Sequence, residues 1–346
     1  MNDLPGLFRN KPAFEESYVQ GLDRMLGQQG LGTFILVLAN ASYDESIYTA
    51  LSQKLGQRYH ELVSAQDRHT GNTPDDIHVF EQIRQVGLDK LVHTSKRAPG
   101  PWSLQYNLLR SFRPSRLSKH RVDSLFMPFD PAGFHFNKPF LKQEIWWEGN
   151  LLGRHSRLLY NKFPFADYHG LLVVEPARNE PQVLTRDIHE YIWQLAAELS
   201  GCLPGVGLGY NSYGAAASVN HQHFQIYCRE GGGYPIENSR WIHHGGDDAY
   251  PLNCFKATTC QLAWDRLESL HAANTAYNLL YRPGLLYIIP RRFQGSFVGA
   301  DWMTGMGWSD LAGEFTVIDY DRFQQLTSVQ FEAQLRAAAL TVNPGS

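Results

Sequence analysis

The sequence lacks a strong charge of one sign: 31 basic residues stand against 34 acidic ones, for a net charge of −3. A general polyanion binder is excluded on that balance, and no nucleic-acid partner is expected. The richest basic stretch, Arg110 to Arg121, is interrupted by Pro, Ser and Phe. It reads as a solvated loop that could meet a phosphate. Long apolar runs are also missing. The longest, Phe34 to Leu38 and Leu285 to Ile289, are strand-sized, so no membrane span is expected. The first residues, MNDLPGLFRNKPAFEES, have no apolar stretch after a basic start, which argues against a secretory signal. Cysteine is scarce. Cys202, Cys228, Cys254 and Cys260 form no C-x-x-C pair, a pattern of reduced thiols in a cytoplasmic protein without a cysteine-rich zinc site. What remains is globular: 43% hydrophobic and 13% aromatic residues in a chain long enough for two compact units.

The first hundred residues alternate apolar runs with helical patterns. FILVLANA (Phe34 to Ala41) predicts a buried strand. Asp44 caps a helix whose apolar face is Ile47, Leu51, Leu55 and Tyr59, and a second helix is expected from Pro74 to Leu91. Arg97 to Pro114 reads as a boundary or long loop. Strands follow: FHFNKPF (Phe134 to Phe140), EIWWEG (Glu144 to Gly149), then RLLYNKFPF and GLLVVEP. A helix is expected from Asp187 to Leu199, and a mobile, glycine-rich loop from Glu230 to Tyr250. A helix ending near Asn274, a strand pair within NLLYRPGLLYIIPRR and a helix from Ser328 to Ala339 complete the chain. The strand-rich parts around Asn161 and Asn278 suggest two copies of one unit.

Chemistry concentrates in GYNSYGAAASVNHQHFQIY, Gly209 to Tyr227. An H-x-H pair is expected by chance about 0.6 times in a chain with 14 histidines. Requiring Gln two residues on lowers this to roughly 0.03, so the combination carries information. HFQIY favours a strand, which would put His221, His223 and Gln225 on one face and Phe224 and Ile226 on the other. Upstream, Asn211, Gly214 and Ser218 sit among small residues that let a ligand approach the backbone. A histidine beside an anion cradle suits phosphorus chemistry better than metal chemistry. A strand H-x-H can hold a metal, but the carboxylate such sites add is missing: Tyr227 and Cys228 occupy its place, and Glu230 comes too late. Both histidines could also be structural, satisfied by backbone partners.

These residues resemble the GDP-hexose phosphorylases, the GDP-L-galactose and GDP-D-glucose enzymes of the histidine-triad superfamily, in the branch with galactose-1-phosphate uridylyltransferase and the diadenosine tetraphosphate phosphorylases. FDPAGFHFNK (Phe129 to Lys138) is similar to the family's strand before the catalytic unit, and NKFPFADYHGLLVVEP (Asn161 to Pro176) to its Asn-x-x-Pro…His-x-Leu-Leu-Val element. AYNLLYRPGLLYIIPRR and GMGWSDLAGEF are similar to a degenerate second unit. The resemblance covers residues 120 to 346. It implies an α+β fold of two fused histidine-triad-like units, antiparallel sheets with flanking helices: a helix-rich N-terminal extension over residues 1–120, a catalytic unit over 121–235 and a degenerate one over 236–346.

The resemblance also implies roles. His223 is the nucleophile that takes the nucleotidyl group of a nucleoside diphosphate sugar, before transfer to inorganic phosphate. His221 orients it through a hydrogen bond. Gln225 holds a non-bridging phosphate oxygen and, unlike a histidine there, cannot serve as acid or base, which favours transfer over hydrolysis. Asn211, Gly214 and Ser218 complete the phosphate cradle, and Asn161 meets the ribose. Read from the residues alone, beside the resemblance, His169 fixes a strand turn rather than joining the chemistry, and Arg291 and Arg292 either bind phosphate or form a solvated strand end. Gln222 departs from the apolar residue usual between the two histidines and should point away from the site. No cofactor and no metal are implied, and the chain is expected to be a cytoplasmic monomer or homodimer. Alternatives are a dinucleoside polyphosphate phosphorylase, a hexose-1-phosphate uridylyltransferase-like enzyme, a nucleotide-binding module without turnover, or a metal-dependent barrel enzyme.

Overall fold

The computed structural model describes residues 4–340, apart from 29, 66–70, 92, 114–120 and 230. Most of the Arg110 to Arg121 stretch therefore lies outside the described residues. The chain opens with four helices: α1 (Lys11–Leu26), α2 (Leu31–Tyr43), α3 (Glu45–Ser64) and α4 (Pro74–Val86). FILVLANA belongs to α2, against the expected strand. The helix is surrounded by α1, α3 and α4, so residues 33–43 are buried on every side and its apolar run shows no period. Asp44 caps α3 as expected, accepting from the Ser46 and Ile47 amides. α4 stops at Val86 because Gly87, at φ 89°, turns the chain.

The expected loop after Arg97 instead holds β2 (Ser103–Tyr106) and α5 (Leu108–Ser111), preceded by β1 (Ser95–Arg97). β2 is drawn into a small sheet, antiparallel to β1 and parallel to β11 (Glu314–Val317). The expected strand at Phe134 to Phe140 does not form; Pro139 opens a short 3-10 helix there, and the segment joins neither sheet among the described residues.

The main sheet contains β3 (Ile145–Leu151), β4 (Arg154–Tyr160), β5 (Gly170–Val174), β6 (Val206–Asn211), β7 (Phe224–Cys228), β8 (Phe255–Ala257), β9 (Tyr277–Arg282) and β10 (Leu285–Pro290). Their order is β3-β4-β5-β7-β6-β9-β10-β8, antiparallel at every pairing. This is an α+β fold. Helices α6 (Arg186–Ser200) and α7 (Cys260–Ala272) cover one face, where Leu208, Phe224 and Ile226 join Ile192 and Leu195 in one core. On the other face Tyr227 and Leu280 join a second, aromatic core with Trp308 of α8 (Trp308–Leu311). The chain ends with α9 (Tyr320–Gln325) and α10 (Ser328–Ala338).

Residues 231–250 are not the loose loop that their glycines suggest. Tyr234, Ile236 and Trp241 are buried, and Trp241 stacks on Trp102 with ring centres 5.4 Å apart. Glu230 itself lies outside the described residues. Arg291 is likewise no solvated strand end: it is buried, and its guanidinium donates to the Met306 carbonyl. No described helix is long and apolar enough to cross a membrane.

Candidate active site

β7 begins at Phe224, so His221 and His223 stand in the lead-in to the strand and only Gln225 lies on it. The ladder between β6 and β7 pairs Gly209 with Gln225 and then stops. Two more steps would set Asn211 opposite His223, but the side chain of Gln182 stands between them. Its Oε1 accepts from the His223 amide at 2.9 Å, and its Nε2 donates to the carbonyls of Asn211 at 2.9 Å and His223 at 3.1 Å. One buried amide thus replaces the strand pairing and opens a gap at the sheet's end. That is why the three polar residues do not share one strand face.

The same geometry sets the state of His223. Its Nδ1 lies 2.8 Å from the His221 carbonyl and 3.0 Å from Gln182 Oε1, both acceptors, so Nδ1 carries the proton. Nε2 keeps its lone pair. Burial lowers the pKa from 6.5 to about 4, so the ring is neutral at pH 7. His221 contributes its main-chain carbonyl, while its ring is turned elsewhere: Phe136 N donates to Nδ1 at 3.1 Å, and the Pro176 backbone also partners the ring. Burial first, then the neighbouring His223, lowers its pKa to about 4. The two rings therefore do not aim two lone pairs at one point. Among the described residues no three His, Cys, Asp or Glu side chains gather as metal ligands.

Gln225 and Asn211 are each held by their oxygens. Gln225 Oε1 accepts from the Trp308 indole at 2.8 Å and lies 3.1 Å from His169 Nε2. Asn211 Oδ1 accepts from Asn278 Nδ2 at 2.6 Å and from the Trp308 amide at 2.8 Å. In both, the amide nitrogen is left to donate. Gly214 adopts φ 80°, and a Cβ there would come within 2.4 Å of the Phe293 ring. It shapes the loop, and its carbonyl accepts from Gln294 N at 2.8 Å. Ser218 is exposed on the same loop, with no hydroxyl partner among the described residues. The hydrogen bonds thus join Asn211, His221, His223 and Gln225 through Gln182 and Trp308, while Gly214 and Ser218 lie on the connecting loop outside that network of the described residues.

Asn161 lies at the far side of the cluster. Its Oδ1 accepts from Phe163 N, and its Nδ2 approaches His169 Nε2 at 3.3 Å. His169 closes the turn by accepting from Asn161 N and Phe165 N, and beyond that reaches Gln225, a link outside the sequence reading. Gln222 points away, its Nε2 donating to the Val183 carbonyl at 2.8 Å. Arg110 from the basic stretch is no solvated residue: it stacks over Phe165 and donates to the Phe163 carbonyl, and burial lowers its pKa to about 9. Two positions escaped sequence reasoning. Gln182 sits in NEPQVLT with no pattern around it, whereas Trp308 falls in the GMGWSDL segment noted for its resemblance.

Residues 92–227 match the family described as GDPGP1-like, N-terminal domain. GDP-D-glucose phosphorylase 1 of Danio rerio is 34% identical over 124 residues, covering 36% of this chain and 35% of the relative. The Homo sapiens protein of that name is 36% identical over 113 residues, or 31% and 29% of the two chains. The match thus spans about a third of each relative's length. A crystal structure of yeast Ap4A phosphorylase Apa2 superposes with TM-score 0.52 and 15% identity over 79% of this chain and 96% of that one. The same enzyme in complex with Ap4A gives 0.51 over 78% and 99%. Residues 92–227 are thus similar in sequence to the GDPGP1-like N-terminal domain, and the fold is like that of the yeast Ap4A phosphorylase.

Proposed function

We propose that the chain is a nucleotidyl-transferring phosphorylase acting on a nucleoside diphosphate sugar of the GDP-hexose kind. The observation that carries this reading is the His223 ring, whose Nδ1–H is tied to the His221 carbonyl and Gln182 while Nε2 is unprotonated. Nε2 attacks the α-phosphorus, the α–β phosphoanhydride bond breaks, and sugar 1-phosphate leaves with the bond's electrons. A phosphate oxygen then attacks the phosphoramidate and displaces Nε2, giving the nucleoside diphosphate and the free enzyme. Amide N–H groups of Gln225 and Asn211 stabilise charge on the non-bridging oxygens, the term that dominates such transfers. Gly214 and Ser218 shape the phosphate loop, and Asn161 meets the ribose. No cofactor enters these steps.

Within this reading residues 1–120 are an extension, 121–235 the catalytic unit and 236–346 a degenerate unit that props it, in a cytoplasmic monomer or homodimer. The likeness in fold to Ap4A phosphorylase supports a second reading, phosphorolysis of a dinucleoside polyphosphate by the same histidine. The test is a panel of NDP-sugars and Ap4A, each labelled in the α-phosphate and incubated without acceptor. Acid-labile, base-stable label should appear on the wild type with a GDP-hexose and vanish in His223→Ala, with turnover falling by at least about 10³-fold. Label that persists in the variant places the nucleophile elsewhere.

A further inference from the structure

Gln225 can assist the reaction as a donor only if its amide is turned the right way, and a primary amide has two nearly isosteric orientations. The pairing around it removes the choice. The Trp308 indole N–H is donor-only, and it lies 2.8 Å from Oε1. His169 supplies the second constraint. Phe165 N donates to its Nδ1 at 3.2 Å, so Nδ1 bears the lone pair. Burial, and then the Arg110 charge, lower its pKa to about 3, so the ring is neutral at pH 7. A neutral ring with an accepting Nδ1 must carry its proton on Nε2, and of the two groups beside Nε2, Asn161 Nδ2 at 3.3 Å and Gln225 Oε1 at 3.1 Å, only the oxygen can accept it. Two donors therefore meet one oxygen. The flipped amide would set its N–H groups against both.

Trp308 is in turn fixed in place. It is fully buried, stacks on Tyr227 at 5.3 Å and 11°, and fills the space of the missing Cβ of Gly209, which would come within 2.2 Å of the indole. Its backbone amide holds Asn211 Oδ1. One residue thus turns both amide groups of the proposed cradle with nitrogen outward, Gln225 through its side chain and Asn211 through its main chain.

We infer that Trp308, with His169 as its counterpart, is the positioning residue that makes Gln225 a hydrogen-bond donor toward the phosphate. The inference rests on the proposed nucleotidyl transfer. It predicts that Trp308→Phe, which keeps the stack and loses the indole N–H, lowers kcat for nucleotidylation by about tenfold with little change in KM, the loss of one oriented donor in the transition state. The test is a double-mutant cycle with Gln225→Ala. If Trp308 acts through Gln225, its substitution has no further effect on kcat in the Gln225→Ala background. An equal tenfold loss in both backgrounds would show a merely structural role and overturn the inference. A second readout does not need turnover: the Trp308 indole proton should be protected from exchange in the wild type and lose protection in folded Gln225→Ala. An indole proton unprotected in the wild type overturns the positioning, whereas protection without nucleotidylation by any substrate would retain the geometry and sink the proposed function.

Discussion

The two strand pairs at the centre of the main sheet are built alike and used differently. In each, a packed helix leads into a strand that turns back on an antiparallel neighbour: α6 into β6 and β7, α7 into β9 and β10. Between β6 and β7 lie residues 212–223; between β9 and β10 lie only Pro283 and Gly284. The short turn is closed by its own backbone, with Gly284 at φ 69°. The long connection is held from outside. Gln182 bridges its ends, Asn278 of β9 donates to Asn211 Oδ1 and the Ala215 carbonyl, and Gln294 beyond β10 binds Gly214 and Ala216. The half with the short turn thus acts as scaffold for the half with the long one. A connection becomes a site when it is too long to satisfy its own backbone and other elements must do so.

The sharpest way to break this contrast is to remove the bridge. Gln182→Ala leaves the His223 amide and the carbonyls of His223 and Asn211 without partners in a buried place. Destabilisation of about 3 kcal/mol is expected in thermal or denaturant unfolding, with at least a 10²-fold loss of nucleotidylation. A variant with wild-type stability and labelling would mean that the loop holds itself.

Acid should probe the same side of the sheet. His221 and His223 have pKa values lowered to about 4 and His169 to about 3, against 6.5 in the unfolded chain. Between pH 6.5 and about 4 the unfolded chain takes up protons that the folded one refuses. Their contribution to stability is therefore complete above pH 6.5 and falls on acidification, by about 1.4 kcal/mol per pH unit for each group. Unfolding measured across that window gives the slope. The nucleotidylation rate, by contrast, should stay level from pH 7 to 5.5 because His223 remains neutral. A midpoint near 6.5 would mean that the ring is not shielded.

The smallest effect belongs to the short turn. Gly284→Ala places a side chain at φ 69° with open space around it, so only backbone strain of about 1 kcal/mol is expected. Labelling should be unchanged. A loss of labelling there would tie the two connections together in a way that the hydrogen bonds do not show.

Much of this chain is legible locally. The Asp44 cap and the Ile47, Leu51 and Leu55 face of α3, the α6 helix and the Pro-Gly hairpin all rest on residues within a few positions of one another. The H-x-H-x-Q spacing marks the site for the same reason. The failures are those where a segment's surroundings overrule its own preference. An apolar run reads as a strand until three helices are packed around it, and glycines read as mobile until Trp241 finds Trp102.

The sequence by itself determined which residue types gather at the candidate site and roughly where: a histidine, a glutamine and an asparagine within one stretch of Gly209 to Tyr227. Which ring nitrogen of His223 is free, and which way Gln225 turns, was decided only by the tertiary structure. Those states depend on Gln182, His169 and Trp308, which lie 41, 56 and 83 residues from the groups they hold. A proton's place on an imidazole and the orientation of an amide are set by the partner across the gap, and no local pattern encodes a partner so distant along the chain.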